Sequence, residues 1–185
     1  CNVCGNTKSN FQTFSFWELP IPVDKNSNKI IELKDCLDKW SDKEKLDDEN
    51  RINCDFCGVK TNVDKHSTIF SPPKILVIQL KRFQKNLYGS VVKKIDNKIN
   101  FPIENLDISD YISESSCNKE KSIYNLYAVN SHQGNPNVGH YYSIVKNRFD
   151  DNWYIFNDDV NPIKITSKDE IIDQRSYLLF YFRVN

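Results

Sequence analysis

The sequence has no excess of charge of either sign, because 25 Lys and Arg residues balance 25 Asp and Glu residues. Nucleic acids and anionic membranes attract basic surfaces, so neither is expected to be the main partner. Long apolar runs are also missing, and no stretch approaches the roughly 20 residues of a membrane-spanning helix. With 39% hydrophobic and 27% charged residues, the composition is that of a soluble globular protein.

Six cysteines are present, and four of them form two CxxC pairs, Cys1 with Cys4 and Cys54 with Cys57. A glycine follows each pair, which suits the tight backbone of a metal-binding knuckle. Together the pairs supply the four thiolates of a tetrahedral, structural Zn²⁺ site. Two disulfides or one redox-active pair are the alternatives, but no feature indicates an oxidising compartment. The pattern therefore favours structural zinc and a cytoplasmic or nuclear protein.

The two remaining cysteines lie in different settings. Cys36 shares helical spacing with Leu37 and Trp40, so it is predicted to lie in the core, on a helix that covers residues 31–40. Cys117 lies in a polar segment and is predicted to be a free thiol.

The distribution of apolar residues divides the chain into two units. Residues 1–65 form a more polar unit that contains both knuckles, whereas β-branched and aromatic stretches dominate residues 66–185. Such stretches predict strands. The expected strands cover 14–22, 75–80 continued by 81–83, 124–130, 140–146, 153–156 and 176–184. The sequence therefore predicts a strand-dominated α+β fold with a mostly antiparallel sheet and few helices.

Several segments carry a more specific expectation. Two prolines stop strand 14–22 or place it at a sheet edge. The nearly continuous apolar run at 75–80 predicts a strand that is buried on both faces. Capping boxes, Ser followed three residues later by Glu, predict helical turns at 41–44 and 167–170. Glycine, proline and asparagine residues predict a flexible loop at 131–139.

One histidine has neighbours that suggest chemistry. His140 opens a strand, and Asn157 and Asp158 directly follow the next predicted strand. Two adjacent strands would place the imidazole beside one of these side chains, which is the base and orienter half of a cysteine protease site. Spacing alone is a weak indication, since a lone histidine is more often a surface or core residue.

The order of the motifs resembles the ubiquitin-specific protease family, essentially from end to end. After the first knuckle come 19–22 and Cys36-Leu37, and after the second come 72–73 and Gln79-Leu80-Lys81-Arg82-Phe83. The later motifs are Asn100-Phe101-Pro102, Gly139-His140-Tyr141, Trp153-Tyr154-Ile155-Phe156-Asn157-Asp158 and Ser176-Tyr177-Leu178-Leu179-Phe180-Tyr181. No single motif is decisive, but the ordered set is highly specific.

The resemblance implies the papain-like cysteine protease fold of that family, which consists of fingers, palm and thumb. Residues 1–65 would be zinc-ribbon fingers and residues 66–185 an antiparallel palm. His140 would be the catalytic base, Asn157 the third member of the triad, and Asp158 an adjacent acid that shares its task.

The same resemblance implies a substrate and a missing part. Phe101, Gly139 and Tyr141 match positions that line the channel for the C-terminal tail of ubiquitin. The family's nucleophile belongs to a thumb motif that these 185 residues do not contain, and neither Cys36 nor Cys117 has a matching context. The sequence, which begins at a zinc ligand, is therefore expected to be part of a larger catalytic domain or to pair with a companion chain.

Two other functions stay open at this stage. A non-catalytic scaffold that binds ubiquitin and ubiquitinated proteins would keep the fingers and palm, although both His140 and Asn157 argue mildly against it. A zinc-ribbon protein that binds nucleic acid is disfavoured by the neutral charge. The favoured prediction is a thiol-dependent ubiquitinyl hydrolase whose present segment is inactive alone.

Overall fold

A computed structural model describes residues 1–23, 30–86, 88–118, 120, 122–135 and 138–184. The strands are β1 (Trp17–Leu19), β2 (Ile31–Glu32), β3 (Glu44–Leu46), β4 (Ile52–Asn53), β5 (Lys60–Thr61), β6 (Val63–Lys65), β7 (Ile75–Leu80), β8 (Phe83–Lys85), β9 (Val91–Lys94), β10 (Ile99–Asn100), β11 (Leu106–Asp107), β12 (Ile123–Gly134), β13 (Gly139–Lys146), β14 (Trp153–Asn157), β15 (Val160–Lys164) and β16 (Ser176–Arg183). Helix α1 covers Leu33–Ser41, and short 3₁₀ helices cover Asp48–Asn50, Ser109–Tyr111 and Lys168–Glu170. Within these residues, no helix is long and apolar enough to cross a membrane.

One eight-stranded sheet organises the molecule, in the order β1-β7-β16-β12-β13-β14-β15, with β11 added beside β12. Only β1 and β7 pair in parallel within it, so the predicted, mostly antiparallel sheet is confirmed. β1 lies at an edge, as its flanking prolines predict. Four two-stranded sheets accompany it, including β3 with β6 and β8 with β9.

Strand β7 is buried on one face only, so the expectation of burial on both faces is wrong. Leu76, Ile78 and Leu80 are fully buried, whereas Ile75 is 49% exposed. The strand also stops before residues 81–83, because the Arg82 N–H donates to the Leu80 carbonyl at 2.7 Å and closes a tight three-residue turn. A continuous apolar run therefore did not distinguish one buried face from two.

Helix α1 begins at Leu33, two residues later than predicted, because Ile31 and Glu32 pair with β10 instead. Its buried face holds Leu33, Cys36 and Leu37, as the helical spacing predicted. Burial raises the pKa of the Cys36 thiol to about 12, so this cysteine is an inert core residue.

The two predicted capping boxes have different outcomes. At 167–170, the Ser167 hydroxyl accepts from the Asp169 N–H and the Glu170 carboxylate accepts from the Ser167 N–H, so the predicted turn is confirmed. At 41–44 the prediction is wrong, because Glu44 begins β3 and pairs with Lys65 of β6. Pairing with a distant strand overrides a local preference of this kind.

The hydrophobic core crosses the predicted boundary at residue 65. Trp17 and Leu37 from the first unit pack in one buried cluster with Ile78 and Tyr181 from the second. Trp17 also contacts Trp40 edge to face, with ring centroids 4.9 Å apart. The division into fingers and palm therefore remains a prediction, since Trp17 and Leu37 belong to the same core as the sheet.

A fully buried arginine joins three segments next to this core. Arg82 Nε donates to the Ser176 carbonyl at 2.6 Å, and Nη1 donates to the carbonyls of Ile95 and Asn97 at 2.8 and 3.0 Å. Burial lowers the pKa of Arg82 to about 10, which still leaves the guanidinium charged at neutral pH. Arg82 therefore fixes the base of the β8–β9 hairpin against the start of β16.

Replacing this residue tests that role. We expect Arg82→Met to lower the free energy of unfolding by about 3 kcal/mol or more, because buried carbonyls lose their donors. Urea denaturation of the intact protein measures the change. Arg148→Met, at an exposed position, is the matched control and should change stability by less than about 0.5 kcal/mol. Equal stability of the two variants would contradict a structural role for the buried guanidinium.

Candidate active site and metal site

The strand register brings His140 and Asn157 onto one face of the sheet. Ile144 of β13 lies opposite Ile155 of β14. Side chains alternate between faces with a period of two, so His140, four residues before Ile144, and Asn157, two residues after Ile155, point to the same side. The pair lies where the hairpin ends, and the His140 side chain is 45% exposed.

The imidazole and the amide are in hydrogen-bond contact. His140 Nε2 lies 2.5 Å from Asn157 Oδ1. A carbonyl oxygen can only accept, so Nε2 carries the proton and Nδ1 keeps a lone pair. This tautomer gives the ring one nitrogen that is fixed by Asn157 and a second nitrogen that is able to take a proton.

Asp158 lies beside the same nitrogen. Its Oδ2 is 3.6 Å from His140 Nε2, which is longer than the contact with Asn157. Asp158 begins the two-residue turn between β14 and β15 and has a φ of 46°, in the left-handed region that Asp tolerates better than most residues. The turn thus places a carboxylate beside the ring.

Two of the three predicted channel residues are the sequence neighbours of His140. Gly139 and Tyr141 precede and follow His140 on β13, and Tyr141 is half exposed. Phe101 does not belong with them, because it is only 3% exposed and lies within the core cluster. The expectation that Phe101 lines an open channel is therefore corrected: a ring buried to this degree leaves no surface for a bound peptide.

The loop predicted at 131–139 is wrong for its first four residues, because β12 continues to Gly134. Residues 136–137 lie outside the described part of the chain.

A buried histidine that the sequence patterns did not predict lies next to this site. His132 pairs with Tyr141 across the strands, and its ring contacts those of Tyr141 and Phe83 at centroid distances of 4.7 and 5.2 Å. Burial lowers the pKa of His132, which keeps this imidazole neutral. An aromatic residue facing another across a hairpin was the signal that could have found it.

The four predicted metal ligands come together at a second site. The sulfur atoms of Cys1, Cys4, Cys54 and Cys57 all lie within 4.8 Å of one another, and the cysteines are free thiols. A tetrahedral zinc with Zn–S bonds of about 2.3 Å holds its sulfurs about 3.8 Å apart. Cys4 Sγ and Cys54 Sγ are separated by 3.7 Å, which fits such a site and exceeds the roughly 2.05 Å of a disulfide.

Both knuckles have the same backbone geometry. In each, the N–H of the glycine after the pair donates to the carbonyl of the first cysteine, at 2.9 Å for Gly5 and 2.8 Å for Gly58. These glycines have φ values of 72° and 70°, which an L side chain rarely adopts. The backbone N–H of Asn6 stabilises the thiolate of Cys4 and lowers its pKa to about 7. The set of four sulfurs could therefore hold a metal ion such as zinc.

Nearly the whole chain matches a known protein family. The family model for ubiquitin carboxyl-terminal hydrolase matches residues 1–181. The chain therefore belongs to the ubiquitin carboxyl-terminal hydrolase family, a class of cysteine peptidases. It is 35% identical over 182 residues to ubiquitin carboxyl-terminal hydrolase 2 of Gallus gallus and 36% identical over 182 residues to a probable ubiquitin carboxyl-terminal hydrolase, R319, of Acanthamoeba polyphaga mimivirus.

Solved structures support the strand-dominated, papain-like fold expected from the sequence. A SAGA DUB module bound to monoubiquitin contains a chain with a TM-score of 0.81 and 33% identity, of which this chain covers 39%. A SAGA DUB module bound to ubiquitin aldehyde gives a TM-score of 0.79 at 33% identity and 38% coverage. The present chain is covered over 100% and 98% of its length, respectively.

The present chain spans less than half the length of these relatives. It matches over 98% of its own length but only 48% of the Gallus gallus protein, and over 97% of its own length but 37% of the mimivirus protein. The match therefore identifies the family to which the chain belongs.

The glycine before His140 yields a test of the site's packing. A Cβ on Gly139 would lie 2.0 Å from His132 Nε2, so we expect Gly139→Ala to displace one of the two strands. The free energy of unfolding should fall by about 1–3 kcal/mol, as in other overpacked positions. Gly89→Ala is the control, since no atom lies within 4 Å of its Cβ position and only the φ of 82° is strained. A Gly139→Ala variant no less stable than Gly89→Ala would refute the close approach.

Proposed function

We propose that residues 1–185 supply the base, the orienting amide and a ubiquitin-binding surface of a deubiquitinating cysteine protease. The reaction is hydrolysis of the isopeptide, peptide or thioester bond at the C-terminal glycine of ubiquitin. The observation that carries the proposal is the 2.5 Å contact between His140 Nε2 and Asn157 Oδ1, in a chain of the ubiquitin carboxyl-terminal hydrolase family.

The proposed mechanism uses the free nitrogen of the ring. His140 Nδ1 takes the proton of the attacking thiol, and the thiolate adds to the carbonyl carbon of the terminal glycine. When the tetrahedral intermediate collapses, the imidazolium returns that proton to the leaving lysine amine and a thioester remains. His140 then deprotonates a water molecule that hydrolyses the thioester. Asn157 keeps the ring oriented throughout, and the adjacent Asp158 shares that task.

The thiol is proposed to come from outside these 185 residues. Four of the six sulfurs lie together in the metal cluster, and Cys36 is buried in the core with its pKa raised to about 12. Cys117 is an exposed free thiol whose sequence context does not match that of the family's nucleophile. An N-terminal thumb segment, in the same or a companion chain, is the proposed source, so residues 1–185 alone are proposed to be inactive.

Ubiquitin and ubiquitinated proteins are the proposed partners. Two of the similar structures are bound to monoubiquitin and to ubiquitin aldehyde. Gly139 and Tyr141, the neighbours of His140 on β13, are proposed to line the channel for the C-terminal tail of ubiquitin. No nucleic acid or membrane is part of the proposal.

The four-cysteine site is proposed to hold a structural Zn²⁺ ion. It would tie residues 1–4 to residues 54–57, which the sequence separates by about fifty positions, and it needs no open coordination position. Thiolate ligands of this kind persist in a reducing compartment, which supports a cytoplasmic or nuclear location.

Removing the base tests the catalytic part of the proposal. In the intact protein, His140→Ala should lower kcat for a fluorogenic ubiquitin C-terminal amide about a thousandfold, the range for loss of a general base. His66→Ala, at an exposed position remote from the strands of the site, is the matched control and should retain full turnover. A ubiquitin probe with an electrophilic C-terminus should label the unmodified protein covalently.

The same measurements separate the enzyme from a scaffold. Ubiquitin binding without turnover or labelling in the unmodified protein would favour the non-catalytic alternative. Turnover that His140→Ala leaves unchanged would remove this histidine from the mechanism.

The metal site gives an independent test. Elemental analysis by mass spectrometry should find one Zn²⁺ ion fewer per molecule in Cys57→Ser than in the unmodified protein, because three sulfurs bind zinc much more weakly than four. Cys117→Ser removes a thiol outside the cluster and should keep the full zinc content. Equal metal content in the two variants would argue against the four-cysteine site.

A further inference from the structure

The end of β12 has a neighbouring strand on one side only. β12 pairs with β16 as far as Ser131 opposite Ser176, after which the His132 N–H still donates to the Arg175 carbonyl at 2.9 Å. β12 then runs on to Gly134 with β13 as its remaining partner. Because the N–H and C=O of one strand residue point the same way, the carbonyls of His132 and Gly134 face the side that β16 has left.

A nearly buried lysine takes the place of the missing strand. Lys94 Nζ donates to the His132 carbonyl at 2.8 Å and to the Gly134 carbonyl at 3.0 Å. Its side chain is only 6% exposed, and the carboxylate of Asp96 lies 3.6 Å from the ammonium. Burying an ammonium costs free energy unless the charge is paired or hydrogen-bonded. The two carbonyls and the nearby carboxylate offset that cost.

A second contact comes from the residue that pairs with Lys94. Phe83 lies opposite Lys94 in the β8–β9 hairpin, and its ring packs edge to face on the ring of His132 at 5.2 Å. The hairpin therefore holds His132 through both its carbonyl and its imidazole. The buried Arg82 in turn fixes the base of this hairpin, since its own carbonyl accepts from the N–H of Ile95 at 2.8 Å.

We propose that Lys94 is a positioning residue for His140, a role that rests on the proposed function. Lys94 clamps the carbonyls on either side of Gln133, and Gln133 lies opposite His140. Gly134, one of the two residues that it bonds, lies opposite Gly139. Lys94 thereby fixes the end of β12 relative to the β8–β9 hairpin, and β12 in turn pairs with β13, which carries His140. Without the Lys94 ammonium, the end of β12 loses the hydrogen bonds to the carbonyls of His132 and Gly134. The imidazole of His140 then spends less time in contact with Asn157.

The test compares adjacent lysines on opposite faces of β9 in the intact protein. Lys94→Met removes the donors and keeps most of the aliphatic volume, whereas Lys93→Met removes the same charge at an exposed position. We expect Lys94→Met to lower kcat for a ubiquitin C-terminal amide about tenfold, with KM within about twofold, since alignment and not ubiquitin binding is lost. Lys94→Arg, which retains donors at the same position, should restore most of the rate, and Lys93→Met should match the unmodified protein.

Hydrogen exchange gives a readout that does not require turnover. Amides of residues 132–134 and 139–141 should exchange at least about tenfold faster in Lys94→Met, since exchange reports local opening. Should Lys94→Met fail to fold, Lys94→Gln, which keeps an NH₂ donor group without the charge, replaces it and should show an intermediate rate. Normal kcat in Lys94→Met and Lys94→Gln would overturn the positioning role. A fall in kcat that Lys93→Met shows to the same extent would also overturn it.

The two proposals fail in distinguishable ways. If the unmodified protein neither hydrolyses nor is labelled by an electrophilic ubiquitin, the proposed function fails, and hydrogen exchange still tests the clamp. If the unmodified protein is active and exchange near His140 is the same in Lys94→Met, the proposed function stands and the clamp is wrong.

Discussion

The geometry of the candidate active site depends on the register between β13 and β14. Ile144 faces Ile155, and Lys146 faces Trp153, so the buried Ile144 and Trp153 fix which face of the hairpin points to the core. His140 and Asn157 lie further along that same face, where the core ends and solvent begins. A slip of one residue would turn one strand over and place the imidazole and the amide on opposite sides of the sheet. The packing that stabilises the hairpin is thus also what brings the base and its orienting amide together.

The strand next to β13 needs support of a different kind, because its end extends beyond the sheet. The N–H and C=O groups of a strand normally bond to neighbouring strands. Where a neighbouring strand stops, a charged side chain can donate to the carbonyls that are left without a partner strand. Lys94 does this for β12, and Arg82, which precedes β8, donates in the same way to the Ser176 carbonyl at the start of β16. Two cations donating to backbone carbonyls thus join the β8–β9 hairpin to the sheet. The site is built from a register set by apolar packing and from an edge completed by charged side chains.

Local sequence patterns predicted the parts of the molecule whose signal is local. The knuckles, the helical face with Cys36 and the capping box at 167–170 each depend on residues a few positions apart. The segment 41–44 carries an equally good capping box and still forms a strand, because Lys65 pairs with Glu44. Phe101 was placed wrongly and Lys94 was missed for the same reason. Tertiary contacts decide whether a ring is buried and whether an ammonium meets two distant carbonyls. His140 and Asn157 were found through the order of family motifs, since their spacing alone is common.

The six cysteines illustrate how environment assigns different roles to one side chain. Four thiols lie within 4.8 Å of one another, where a metal ion would hold them as ligands and remove them as nucleophiles. The thiol of Cys36 is surrounded by core residues, and its raised pKa keeps it protonated. A nucleophilic thiol needs the opposite setting, an accessible position beside a base. His140 offers that base, with Nε2 bound to Asn157 and Nδ1 unencumbered by that bond. In the proposed function, this imidazole is the base for a thiol that comes from outside these 185 residues.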